Sequence, residues 1–193
     1  GRMIALVGDA ELDEGNVYEC LQEGWKHDLR NVWWIIDYNR QSLDGVVHEG
    51  LSERLGAVFE AFGWNLIILK YGKLQKEAFE EPGGNLLKKW IDDCPNQLYS
   101  ALIYEGGSVF KQRILDDIGD QDIVSKLIDK RTDSEFLDLM ANLGGHCVPT
   151  LIKAFESVKD DKPTAFIAYT IKGWGTPLAG HKDNHAGLMT KAQ

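Results

Sequence analysis

Asp9, Asn39 and Gln41 are the residues whose types and placement suggest chemistry. Asp9 lies in Gly8-Asp9-Ala10, which closes an apolar run at residues 3–7, and Asn39 and Gln41 lie just beyond a second apolar run at residues 32–36. A helical pattern separates the runs: within residues 13–24, Val17, Cys20 and Leu21 recur at i, i+3 and i+4. Strand, helix and strand make a βαβ unit, whose right-handed crossover brings both strands to an end on one edge of the sheet. Ligands of open α/β sheets bind outside that carboxyl edge. Asp9 and Asn39 are therefore expected to be neighbours, although a whole helix separates them in the chain.

A charged oxygen and a neutral one at a sheet edge suit a hard cation. Mg²⁺ takes near-octahedral oxygen ligands and commonly shares them with phosphate groups. A helix starting near Leu12 would add free backbone N–H groups and the positive end of its dipole. Cation and helix start together would hold a diphosphate. The plainer alternative is that Asp9 caps a helix and Asn39 shapes a turn, and the residues alone leave both open.

Gly8-Asp9-Ala10, then residues 11–38, then Asn39 resembles the thiamine diphosphate motif, a GDG followed at a distance by N or NN. The stretches Leu43-Asp44-Gly45 and Phe59-Glu60-Ala61-Phe62-Gly63-Trp64 look like transketolase and the homodimeric-type pyruvate dehydrogenase first component. The resemblance implies that the side chains of Asp9 and Asn39 and the backbone carbonyl of Gln41 bind Mg²⁺. It also implies that Gly8, Ala10 and Glu11 lie against thiamine diphosphate. Ala10 departs from the usual third glycine, and its added methyl is tolerable where φ stays negative.

The elements that must position these residues follow in order. A helix is expected over residues 52–62, with Leu55, Val58, Phe59 and Phe62 as its apolar stripe and Gly63 as its C-terminal glycine. A third strand is expected at 65–69. The Trp33-Trp34 pair reads as sheet packing. Residues 41–50 read as a loop containing His48. Residues 71–146 read as a mostly helical insertion, with helices at 85–93, 108–118, 120–130 and 134–142 and helix starters at Ser108, Asp120 and Ser134. Residues 98–104 are ambiguous between strand and helix. The insertion ends in Gly144-Gly145-His146, which resembles a GGH of the pyruvate dehydrogenase first component, and His146 reads as a packing residue.

A helix over 148–159, with Pro149 in its first turn, precedes a near-continuously apolar strand at 164–171, as in a covered parallel sheet. That strand ends at Lys172-Gly173-Trp174-Gly175, similar to the IKGYG of the same family. The glycine-, histidine- and charge-rich segment after it reads as a mobile active-site loop with nothing to hold a core. By the resemblance, His185 is the loop histidine that faces substrate, with His181 beside it, and Lys172 approaches the cofactor's phosphates or the substrate carboxylate.

The 193 residues carry a net charge of −9, which argues against general nucleic-acid binding. No apolar run approaches a membrane span. Cys20, Cys94 and Cys147 lack CxxC spacing and read as reduced cytosolic thiols. The fold expected is α/β, a parallel sheet covered by helices of the thiamine diphosphate-binding type, as one cofactor-binding domain of a larger cytoplasmic chain. The resemblance implies Mg²⁺- and thiamine diphosphate-dependent decarboxylation of a 2-oxoacid, most simply pyruvate, with transfer to a lipoyl group. It implies as partners the enzyme's remaining domains, a second subunit in a homodimer and a lipoyl-bearing acyltransferase. Transketolase chemistry and a non-catalytic binding module are the alternatives.

Overall fold

The computed structural model describes residues 1–42, 45–46, 50–119, 122–185 and 187–191. Leu43, Asp44, His48 and Asp120 lie outside them. In chain order the elements are β1 (Met3–Gly8), a 3₁₀ turn (Asp9–Asp13), α1 (Gly15–Lys26), β2 (Val32–Tyr38), β3 (Gln41–Ser42), β4 (Gly45–Val46), α2 (Leu51–Ala61), β5 (Asn65–Leu69), α3 (Lys73–Phe79), α4 (Gly84–Asp93) and α5 (Asn96–Glu105). Then come α6 (Gly107–Ile118), α7 (Asp122–Asp129), α8 (Asp133–Ala141), a 3₁₀ turn (Gly144–His146), α9 (Val148–Ser157) and β6 (Thr164–Tyr169). They form two compact units. The first is Gly1–Lys70 with Gly144–Thr170, and the second is Tyr71–Leu143 with Ile171–Gln193.

The first unit is built on a four-stranded parallel sheet in the order β1-β2-β6-β5. Successive side chains of a strand point to opposite faces, and the tryptophan pair of β2 shows this directly. Trp33 stacks on Phe155 of α9 and meets Phe166 edge-on, whereas Trp34 meets Phe59 of α2 and Trp64. The sheet is thus covered by α9 on one face and α2 on the other. Every residue of the central strand β6 is buried, which accounts for its near-continuously apolar sequence. As expected, Gly63 ends α2 in the left-handed region, with its N–H donating to the Glu60 carbonyl and that of Trp64 to the Phe59 carbonyl.

Two expectations for this unit are corrected. Of Val17, Cys20 and Leu21, only Leu21 is buried, and Met3, Ile4 and Leu6 of the edge strand β1 are themselves exposed. The anticipated helix start near Leu12 is a short 3₁₀ turn, and α1 begins only at Gly15.

The second unit is helical over α3–α8, around a cluster in which the Phe110 ring meets those of Tyr99, Trp90 and Phe136. The ambiguous stretch 98–104 is helical, within α5. Buried Tyr99, Leu102 and Ile103 follow helical spacing, and Pro95 opens the helix from the N-cap position. The helix start expected at Ser134 is displaced to Thr132. Its hydroxyl accepts from the Glu135 N–H while Glu135 returns a bond to the Thr132 N–H, a complete capping box. Ser108 likewise lies inside α6, whose N-cap is Gly106. Among the described residues, no helix is long and apolar enough to cross a membrane.

Candidate functional site

At the carboxyl edge of the first unit's sheet, β1 runs into Asp9 and β2 into the turn Asn39-Arg40-Gln41. Asp9 is 3% exposed, and its Oδ2 accepts the Arg40 N–H at 2.7 Å. Asn39 Oδ1 accepts the Gln41 N–H at 3.0 Å. The two oxygens therefore sit on consecutive N–H groups of one turn, which brings together residues from two strands as the βαβ argument requires. Asn39 is a turn residue, as the plainer reading had it. Asp9 is not a helix cap, because the N-cap of the following turn is Gly8.

Glu11 and Gly8 are brought together too. The Gly8 N–H donates to Glu11 Oε1 at 3.1 Å, so the Glu11 carboxylate caps that backbone donor. Gln41 is buried and opens the short β3–β4 ladder opposite Val46. Ala10 is half-buried beside Asp9.

The donor set fits Mg²⁺. Asp9, Asn39 and the Gln41 carbonyl supply only hard oxygens, the donor type that Mg²⁺ takes. Among the described residues there is no group of three or more His, Cys, Asp or Glu side chains placed to hold a metal.

Four residues that sequence reasoning left aside complete this edge. Arg40 holds a left-handed φ of 65° and is 6% exposed. Its guanidinium donates to the Thr170 carbonyl at 3.4 Å and lies 5.6 Å from the centre of the Tyr169 ring. The Tyr169 hydroxyl shares a 2.7 Å hydrogen bond with Ser52 Oγ. Tyr38 packs edge-on against Tyr169, and burial with the neighbouring Tyr169 pushes its phenol up to about 12, keeping it neutral. The only sequence signal for Arg40 was its place inside the motif turn. Tyr38, Ser52 and Tyr169 carried none, because their partners come from distant strands.

Gly144-Gly145-His146 also arrives here. The Gly144 N–H donates to the Lys70 carbonyl at 3.1 Å, and a methyl at Gly144 would lie 2.2 Å from the Leu69 carbonyl oxygen. A methyl at Gly145 would lie 2.7 Å from the Tyr169 carbonyl oxygen. The paired glycines let the chain lie directly against the ends of β5 and β6. His146 is half-buried, which agrees with a packing role, and burial lowers its pKa while the Asp37 carboxylate opposes that shift.

Lys172, His181 and His185 belong to the second unit. Lys172 Nζ lies 2.8 Å from His185 Nδ1. Asn184 Nδ2 donates to the carbonyls of Lys172 and Leu178 at 2.8 and 3.2 Å, and the Gly180 N–H also donates to the Lys172 carbonyl. His181 accepts the Asp183 N–H on Nδ1 and packs edge-on against Tyr104 of α5, 4.5 Å between centroids. The segment expected to hold no core carries these polar and ring contacts, which hydropathy does not register.

A parallel sheet covered by helices, with an acid and an amide turn at its carboxyl edge, is consistent with the α/β fold that binds thiamine diphosphate. No family model matches the chain. It is, however, similar to curated proteins named pyruvate dehydrogenase E1 component. That of Escherichia coli (strain K12) is 26% identical over 191 residues, 97% of this chain and 21% of the relative. That of Buchnera aphidicola subsp. Schizaphis graminum is 27% identical over the same shares. That of Corynebacterium glutamicum is 26% identical over 89% of this chain and 18% of the relative. The chain spans about a fifth of the length of these relatives.

Proposed function

We propose that this chain is the diphosphate- and Mg²⁺-binding part of a thiamine diphosphate-dependent 2-oxoacid dehydrogenase acting on pyruvate and passing the acyl unit to a lipoyl group. One observation carries the reading: Asp9 and Asn39 present their oxygens on consecutive N–H groups of the 39–41 turn, at the sheet edge where ligands bind. Asp9, Asn39 and the Gln41 carbonyl hold the cation, and Gly8, Ala10 and Glu11 border the diphosphate. The buried Arg40 brings positive charge to the same turn, which favours an anionic ligand. Thiamine diphosphate, when bound, supplies the carbanion chemistry. His185 is the proton donor or hydrogen-bond partner toward substrate, with His181 beside it. The lipoyl-bearing acyltransferase, the remaining domains, a second subunit and a cytoplasmic setting belong to this reading, and the names of the relatives favour it over transketolase chemistry.

The test is Asp9→Asn in the full-length protein. This change keeps an oxygen for the Arg40 N–H and removes the charge. Calorimetry with thiamine diphosphate should show Mg²⁺-dependent affinity falling at least about tenfold, or ~1.4 kcal/mol. Unchanged Mg²⁺-dependent affinity in a folded variant would refute the site.

A further inference from the structure

The Lys172 ammonium meets one ring nitrogen of His185. An ammonium has three donors and no lone pair, so in this pair Nδ1 accepts. The ring proton of a neutral imidazole then resides on Nε2, leaving Nε2–H as the outward-facing donor. The ring is otherwise exposed, so the lysine does for His185 what a carbonyl or carboxylate does for buried histidines: it fixes orientation and tautomer.

The backbone of the same residue organises the loop. Its carbonyl accepts from the Gly180 N–H at 3.0 Å and from Asn184 Nδ2 at 2.8 Å, and Asn184 immediately precedes His185. Asn184 spends its second N–H on the Leu178 carbonyl, which pins the chain on both sides of the turn. Gly180 lies against α5 with a left-handed φ of 76°, where a methyl would come 2.4 Å from the Ser100 carbonyl oxygen. Lys172 therefore gathers the loop with its carbonyl and aims the histidine with its side chain.

We propose that Lys172 is a positioning residue that acts through His185, presenting Nε2–H as a fixed hydrogen-bond donor. The statement about the Lys172–His185 pair stands on the second unit alone; its consequence for turnover rests on the function proposed above.

Two measurements on the full-length protein separate these levels. The first is long-range ¹H–¹⁵N correlation of the histidine rings in protein labelled at histidine, with His185 identified through a His185→Gln variant. In the wild type, the Nδ1 resonance of His185 should carry the displacement of a nitrogen that accepts a hydrogen bond. Lys172→Met should return it to the position of a free imidazole acceptor, and Lys172→Arg should restore the displacement in part. An Nδ1 resonance identical in wild type and Lys172→Met overturns the proposal, whatever the protein's activity. Circular dichroism of both lysine variants verifies that the helices are intact.

The second measurement is pyruvate turnover. Lys172→Met and His185→Gln should each lower kcat at least tenfold, and the double variant should fall no further than the worse single one, since the lysine acts only through the ring. Multiplying losses would mean that Lys172 works independently on substrate or cofactor and would overturn the positioning role. If the wild-type protein turns over no pyruvate while the ring resonance responds as expected, the function proposed above fails and the Lys172–His185 assignment stands.

Discussion

Gly144→Ala should be among the most damaging single-methyl additions in this chain. The new methyl would lie 2.2 Å from the Leu69 carbonyl oxygen and 2.4 Å from its carbonyl carbon, both backbone atoms at the end of β5. Ordinary van der Waals contact begins near 3.4 Å, so the chain must retreat by about 1.2 Å. The Gly144 N–H bond to the Lys70 carbonyl is 3.1 Å long. A retreat of that size takes it beyond hydrogen-bond range. Overpacking costs ~1–3 kcal/mol, and a buried donor left unsatisfied costs a similar amount. A net loss of about 2–4 kcal/mol lowers Tm by roughly 5–15 °C for a chain of this size. The matching control is Gly15→Ala at the start of α1, where a methyl would find no atom within 4 Å. It should change stability by no more than ~0.5 kcal/mol. Thermal melts of both variants followed by circular dichroism make the comparison. A Gly144→Ala melt coincident with that of Gly15→Ala would show that the chain does not lie against β5 as described.

Two further predictions concern the same sheet edge. Arg40→Gly relieves the left-handed backbone, worth roughly 1–2 kcal/mol for a non-glycine residue, but loses the bond to the Thr170 carbonyl and the packing over Tyr169, worth a similar amount. Stability measured in urea should therefore move by less than about 1 kcal/mol, and cofactor affinity in the presence of Mg²⁺ should fall by less than about tenfold, because the favourable charge goes while the backbone N–H that serves Asp9 remains; a larger collapse would make the guanidinium itself a ligand contact. His146, held by burial below its usual value, takes up a proton less readily in the folded state than in the unfolded one. Stability should therefore be fully present above the unfolded pKa of about 6.5 and fall as pH drops below it, and His146→Gln should flatten that fall in urea titrations at pH 7.5 and 5.5.

Much of the first unit was legible because its strands are apolar runs with polar ends: the runs at 3–7, 32–36 and 65–69 and the glycine after α2 all lie where the pattern put them. The neighbouring of Asp9 with the 39–41 turn followed from the handedness of a single crossover. The position of β6 between β2 and β5 did not, since pairing across so long a stretch leaves no local trace. Helix α5 was hard to read because Leu98, Tyr99 and Ile103 belong equally to strand vocabulary. Helix α3 was missed because its seven residues span only two turns. Within the site, Asp9 and Asn39 were legible as residue types with a topology behind them. The bond between Lys172 and His185 was not, because hydropathy says nothing about which polar side chains meet.

The place of β6 also has a consequence for how the molecule forms. Among the described residues, β2 and β5 are not paired with each other; each is paired with β6, which lies between them and follows both in the chain. During synthesis, the ribosome must therefore deliver residues 164–169 before the sheet can close. Until then β5 lacks its β6 partner, whereas α3–α8 are contiguous in sequence and find their helical neighbours locally. Non-local pairing of this kind is paid for in loop-closure entropy before it is rewarded, so sheet closure should be the slow, late step of folding, following the helices.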